Sequence, residues 1–128
     1  MTIRSELHKT LWEVEDVLRD IARTGVEHVS PTYIANEISK SIDDVMECLI
    51  HIQSQKEPVK GKLMLRVLCP VHQSVLEEIR GVWLKGLLEQ IKDDYWCGKC
   101  IERKPVDTEY IEITFEISDE YLKFCKSN

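Results

Sequence analysis

Ser30-Pro31-Thr32-Tyr33-Ile34-Ala35-Asn36-Glu37-Ile38-Ser39-Lys40-Ser41-Ile42-Asp43-Asp44-Val45-Met46-Glu47-Cys48-Leu49 carries two helix starts within one short stretch. Ser30 offers a capping hydroxyl, and Pro31 suits a first helical position because its missing N–H would be unpaired there anyway. A helix from Pro31 to about Ser39 follows, with Ile34, Ala35 and Ile38 as its apolar face. Ser41 is a second capping residue, and Asp43 and Asp44 fall in the first turn, where the helix dipole favours negative charge. That second helix continues through Val45, Met46, Leu49, Ile50 and Ile52 to about Gln55. Two helices joined by a turn of two or three residues make a helix–turn–helix.

On the N-terminal side, Leu7, Leu11, Val14, Leu18 and Ile21 recur at steps of four and three over residues 5–24, and Gly25 supplies a stop. Two readings stay open for this helix. It packs into its own domain, or it forms the seam of a homodimer. On the C-terminal side, Pro58-Val59-Lys60-Gly61-Lys62-Leu63 reads as a strand, a tight glycine turn and a returning strand over 63–68 that enters Cys69. Leu76, Ile79, Val82, Trp83, Leu87 and Ile91, widened by Leu84 and Leu88, predict an amphipathic helix over 76–92. Ile111, Ile113, Phe115 and Ile117 alternate with Glu112, Thr114 and Glu116, so 110–117 is a half-buried strand. Ser118-Asp119-Glu120 caps a last helical turn through Phe124. The expected organisation is two modules, 1–68 and 69–128, with no repeat and no long linker between them.

Cys69-Pro70-Val71-His72 is followed 25 residues later by Cys97-Gly98-Lys99-Cys100. Two intervening residues let one tight turn aim both side chains of a pair at a single ion. Cys69, His72, Cys97 and Cys100 together suit a tetrahedral structural Zn²⁺, with all four positions filled by protein and none left for a reacting water. Pro70 stiffens the first turn, and Gly98 is expected to let backbone amides approach sulfur in the second. Chance spacing would instead leave Cys69 as a small buried apolar residue and His72 on a surface turn, which two independent pairs argue against. Cys125 is the substitute ligand if His72 is a bystander, ahead of His28, His51 and His8. Cysteines at 48, 69, 97, 100 and 125 make an odd set of uneven spacing, which favours metal over a disulfide framework.

Charge limits the partners. The 128 residues hold 17 Lys+Arg against 23 Asp+Glu, a net charge of −6, and residues 1–62 and 63–128 each come to −3. A domain-wide excess of cations for nucleic acid is therefore excluded, leaving local clusters: Lys56, Lys60, Lys62 and Arg66, and a second one at Lys99, Arg103 and Lys104. The second helix of the motif would present Asp43, Asp44 and Glu47 to DNA, and these repel phosphate. They suit a protein contact better. No phosphate-binding or nucleophile motif occurs, so the chain is expected not to be an enzyme. A thiol–disulfide role for Cys97 and Cys100 is the remaining redox alternative, although the flanks do not predict the helix N-terminus that such motifs use. No run of about 20 apolar residues and no apolar leader occurs, so the expectation is a cytoplasmic protein with no membrane partner.

Over residues 5–68 this order of three helices and a hairpin, carried by Ile34 to Ser39 and Ser41 to Leu49, resembles the winged-helix superfamily. Joined to the two ligand pairs, it resembles the alpha subunit of transcription initiation factor E and related prokaryotic helix–turn–helix/zinc-ribbon proteins. The resemblance implies an α+β chain: a winged helix–turn–helix fused to a zinc-ribbon-like module with an inserted helix. It also implies a role in protein–protein assembly within a nucleic-acid machine, with a DNA-binding regulator using the Lys56–Arg66 cluster as the alternative.

Overall fold

The computed structural model describes residues 5–55, 59–81 and 85–127. Its elements mix helices and strands in an α+β arrangement. They are α1 (His8–Arg23), β1 (His28–Val29), α2 (Pro31–Ile38), α3 (Ile42–Ser54), β2 (Gly61–Leu68), β3 (Val75–Ile79), α4 (Lys85–Glu89), β4 (Asp94–Cys97), β5 (Glu102–Pro105), β6 (Ile111–Ile117) and α5 (Asp119–Ser127). No described helix is long and apolar enough to cross a membrane.

The two helix starts form as the capping residues dictate. Ser30 Oγ accepts from the Tyr33 N–H at 3.1 Å, and Ser41 Oγ accepts from the Asp44 N–H at 3.1 Å. Each such cap contributes about 1 kcal/mol. Ser39 ends α2 in the left-handed conformation, φ 56°. Ahead of them, α1 buries Leu11, Val14, Leu18 and Ala22, with Leu7 buried in the 3-10 turn that precedes it. Four of the five seam residues, Leu7, Leu11, Val14 and Leu18, are thus buried, and Ile21 is half-buried. Gly25, at φ +84°, closes the helix.

Four strands lie in the order β1–β6–β2–β3, and β4 pairs with β5 in a separate two-stranded sheet. β1 pairs antiparallel with β6, with Val29 opposite Phe115. Gly61 lies against Phe115 and Glu116, while Arg66 lies near Glu112, so β2 and β6 run antiparallel. Contacts divide the chain into a helical unit, 1–63 with 115–128, and a second unit, 64–114. The boundary read from sequence after residue 68 falls five residues beyond the first of these crossings. The helical unit buries Val14, Leu18, Ile34, Val45, Leu49, Ile52, Leu63 and Phe115. In the second unit Leu65, Val67, Ile79, Leu87 and Tyr95 form the core, flanked by Leu76, Ile91, Val106 and Ile111.

Two expectations are overturned. Gly61 is not the tip of a tight turn; it is the first residue of β2. A Cβ there would lie 2.3 Å from the Glu116 carbonyl oxygen and 2.5 Å from the Phe115 ring, so glycine permits the close approach of two strands. The strand beside β2 on that side is β6, which arrives 50 residues later in the chain. The expected helix 76–92 is likewise replaced by β3, Gly81 and the short α4. The misreading has a physical source. A register shift at Val67/Leu68 sets Leu76 outside the pairing, so Leu76 and Ile79, three apart as on a helix, pack against the same core. Gly81 then takes φ +156°, which no helix accommodates. Val82, Trp83 and Leu84 of that expected helix lie outside the described residues.

Candidate metal centre

Each ligand pair sits on a tight turn. The first follows the end of β2, where the Gln73 N–H donates to the Cys69 carbonyl at 2.8 Å and the Cys69 N–H donates to Ser74 O at 2.9 Å. The second joins β4 to β5, where the Ile101 N–H donates to the Cys97 carbonyl at 2.8 Å. The two turns are built alike, and the residue after each second ligand, Gln73 and Ile101, has φ 56°. Gly98 has no comparable demand on it: a Cβ there meets nothing within 4 Å. The left-handed conformation that suits glycine best is thus taken in both turns by residues that carry side chains.

Ile101 is a β-branched residue in a conformation that costs an L-residue about 1–2 kcal/mol, and at 75% exposure its side chain recovers little by packing. Ile101→Gly is expected to raise the stability of the metal-loaded chain by about 1 kcal/mol, read as a higher thermal midpoint. A lower midpoint would mean that the side chain makes a stabilising contact.

The turns bring Cys69, His72, Cys97 and Cys100 together, with all donor atoms within 4.8 Å of one another. Cys69 Sγ lies 3.6 Å from Cys100 Sγ, close to the ~3.8 Å that separates two sulfurs on a tetrahedral ion with bonds near ~2.3 Å. His72 presents Nδ1, 3.1 Å from Cys100 Sγ. Cys69 and Cys97 are buried, Cys100 is half-buried and His72 is exposed. Ser74 Oγ, 3.7 Å from Cys97 Sγ, adds an outer contact. Cys125 is buried in α5 of the helical unit and is not among the clustered residues.

Electrostatics favour a cation in this cluster. The Cys100 amide, with further hydrogen bonds from Ser74, Cys69 and the Lys99 amide, holds the Cys97 thiol down to about 6 despite its burial. Burial and the neighbouring Cys69 and Cys97 push the Cys100 thiol up to about 12. A positive charge beside these thiols would favour the ionised form that burial and neighbouring sulfur oppose at Cys100. Three sulfurs and one imidazole nitrogen this close could hold a soft or borderline metal with four protein donors.

The remaining site residues fare differently. Lys60 Nζ donates to Glu15 at 3.0 Å, with 13% of its side chain exposed. Arg66 donates to Glu78 at 3.2 Å. Both cations thus face carboxylates of their own unit; Lys62 is exposed, and Lys56 lies outside the described residues. On the β4–β5 hairpin, Arg103 Nε donates to Asp94 at 2.8 Å, and that guanidinium holds the Asp94 carboxyl below the usual carboxylate range. Lys104 pairs with Glu102 at 2.5 Å, and Lys99 is exposed. On α3, Asp43 is exposed, while Asp44 and Glu47 are half-buried. Cys97 and Cys100 flank a β-hairpin turn and not a helix N-terminus.

Sequence spacing alone supplied the four residues that cluster. The paired state of Lys60 and Arg66 was not legible, because their partners Glu15 and Glu78 are distant or unremarkable in the sequence. No family model matches the chain, and neither does any curated protein or solved structure.

Proposed function

We propose that this chain is a non-enzymatic, zinc-binding winged-helix adaptor that assembles with a protein partner in a nucleic-acid-related complex. The four donor atoms within 4.8 Å carry the metal part of this reading. Zinc suits three thiolates and an imidazole in a closed tetrahedral site, where the ion contributes folding free energy and performs no chemistry. The order of α1, β1, α2, α3, β2 and β6, with β6 between β1 and β2, supports the winged-helix part. In that reading β2 and β6 are the wing strands, and the ligand-bearing unit is inserted between them.

The choice of a protein over DNA rests on charge. The second helix of the motif presents Asp43, Asp44 and Glu47, and Lys60 and Arg66 of the wing already face Glu15 and Glu78. Few cations remain to displace counterions from a duplex. Fluorescence anisotropy of the zinc-loaded chain with duplex DNA is expected to show no binding tighter than about micromolar at ~150 mM salt. Nanomolar, salt-sensitive binding that Lys62→Glu abolishes would establish the DNA-binding regulator in its place. Lys62 is the suitable position because its side chain is exposed, whereas altering Lys60 would also break its contact with Glu15.

A further inference from the structure

α1 has a second face. Its apolar seam is buried, yet Trp12, on the flank of that seam, is 71% exposed. Beside it on α5, the rings of Tyr121 and Phe124 stack with centroids 6.2 Å apart, and Phe124 is 57% exposed. Trp12, Tyr121 and Phe124 line one hollow of about 290 Å³ whose edge carries Asp16, Arg19 and Lys60. A tryptophan and a phenylalanine left this open in one hollow are unusual for a surface that stays in water.

We propose that two copies of the chain associate through this face, with the α1 helices antiparallel and crossing near Trp12. A two-fold interface must be complementary to itself, since each residue meets the same surface reversed. The charges along α1 meet that demand. Lys9 lies on the N-terminal side of Trp12, and Glu15, whose carboxylate also accepts from Lys60, lies the same distance beyond it. An antiparallel crossing at Trp12 sets Lys9 of each copy opposite Glu15 of the other, with the aromatic rings between. A partner of a single charge sign would be repelled by half of this rim. The chain's net charge of −6 is no obstacle, because both signs surround the aromatics. Tryptophan at the centre of such a patch, ringed by polar groups that exclude water, is the usual form of an energetic hot spot.

Sedimentation equilibrium of the zinc-loaded full chain, over about 1 to 100 μM, tests this. The expected mass is about 30 kDa, twice the 15.0 kDa chain. Trp12→Glu should weaken association about a hundredfold or more while leaving the circular dichroism spectrum unchanged, because the side chain is exposed. Should that variant fail to fold, Phe124→Ser on the adjoining helix decides in its place, with the same loss of association expected. Trp96→Ser, at an exposed tryptophan of β4, should leave the dimer intact. A monomer at the highest concentration would overturn the proposal. So would a dimer that survives both Trp12→Glu and Phe124→Ser, or one that Trp96→Ser dissolves.

Discussion

Cys97→Ser is expected to reduce bound zinc from about one equivalent to less than half and to unfold residues 64–114 while α1, α2 and α3 persist. Structural zinc supplies roughly 10–16 kcal/mol of binding free energy to small folded domains, whereas a core this small rarely supplies more than ~3–5 kcal/mol. Among the described residues the core cluster of the second unit is only Leu65, Val67, Ile79, Leu87 and Tyr95, so a bound metal would be the larger contribution to its stability. Serine in place of Cys97 removes a buried candidate ligand whose thiolate the surrounding amides favour. Elemental analysis reads the metal, and hydrogen exchange reads the fold: amides of β3, β4 and β5 should lose protection, and those of α3 should keep most of theirs. Chelation of the unaltered chain should reproduce the pattern, and added zinc should reverse it. A variant that kept both its metal and the protection of β4 would remove Cys97 from the site.

Gly61→Ala is expected to destabilise the helical unit by about 3 kcal/mol, toward the upper end of what overpacking costs. The added methyl would meet the Glu116 carbonyl oxygen at 2.3 Å and the Phe115 ring at 2.5 and 2.9 Å. Phe115 is fully buried and the oxygen belongs to the backbone, so neither can swing aside. β2 and β6 must separate, which also strains the contacts of Ser118 with Val59 and Lys60. Thermal unfolding should show a midpoint lower by roughly 10 °C. A shift within a degree or two would mean that the strands open at that point without cost.

Local chemistry was legible in the sequence wherever one short segment decided it. Ser30, Pro31 and Ser41 act through the amides next to them, and the ligand spacing acts within a single turn, so both survive reading without coordinates. Long-range partners were not legible in the same way. Gly61 looks like a turn until Phe115 and Glu116 are placed against it. Leu76 and Ile79 look helical until a register shift explains why residues three apart share one side of a strand. The acids of α3 illustrate a mixed case, since Asp43 and Asp44 satisfy a helix N-terminus whatever else they do. The hollow at Trp12 was also out of reach, because it needs α5, more than 100 residues away, to complete it.

The interleaving of β2 and β6 has a consequence for chain entropy. The sheet of the helical unit joins residues 28–29 and 61–63 to 115–117, so the unit closes only after the intervening fifty residues have returned. Closing a free loop becomes costlier with its length, by about 0.6 kcal/mol for each doubling. An ion that ties residue 69 to residue 100 leaves far less chain free to wander. Metal capture would therefore lower the cost of bringing Phe115 back to Gly61, and the four clustered residues would influence a core to which none of them belongs.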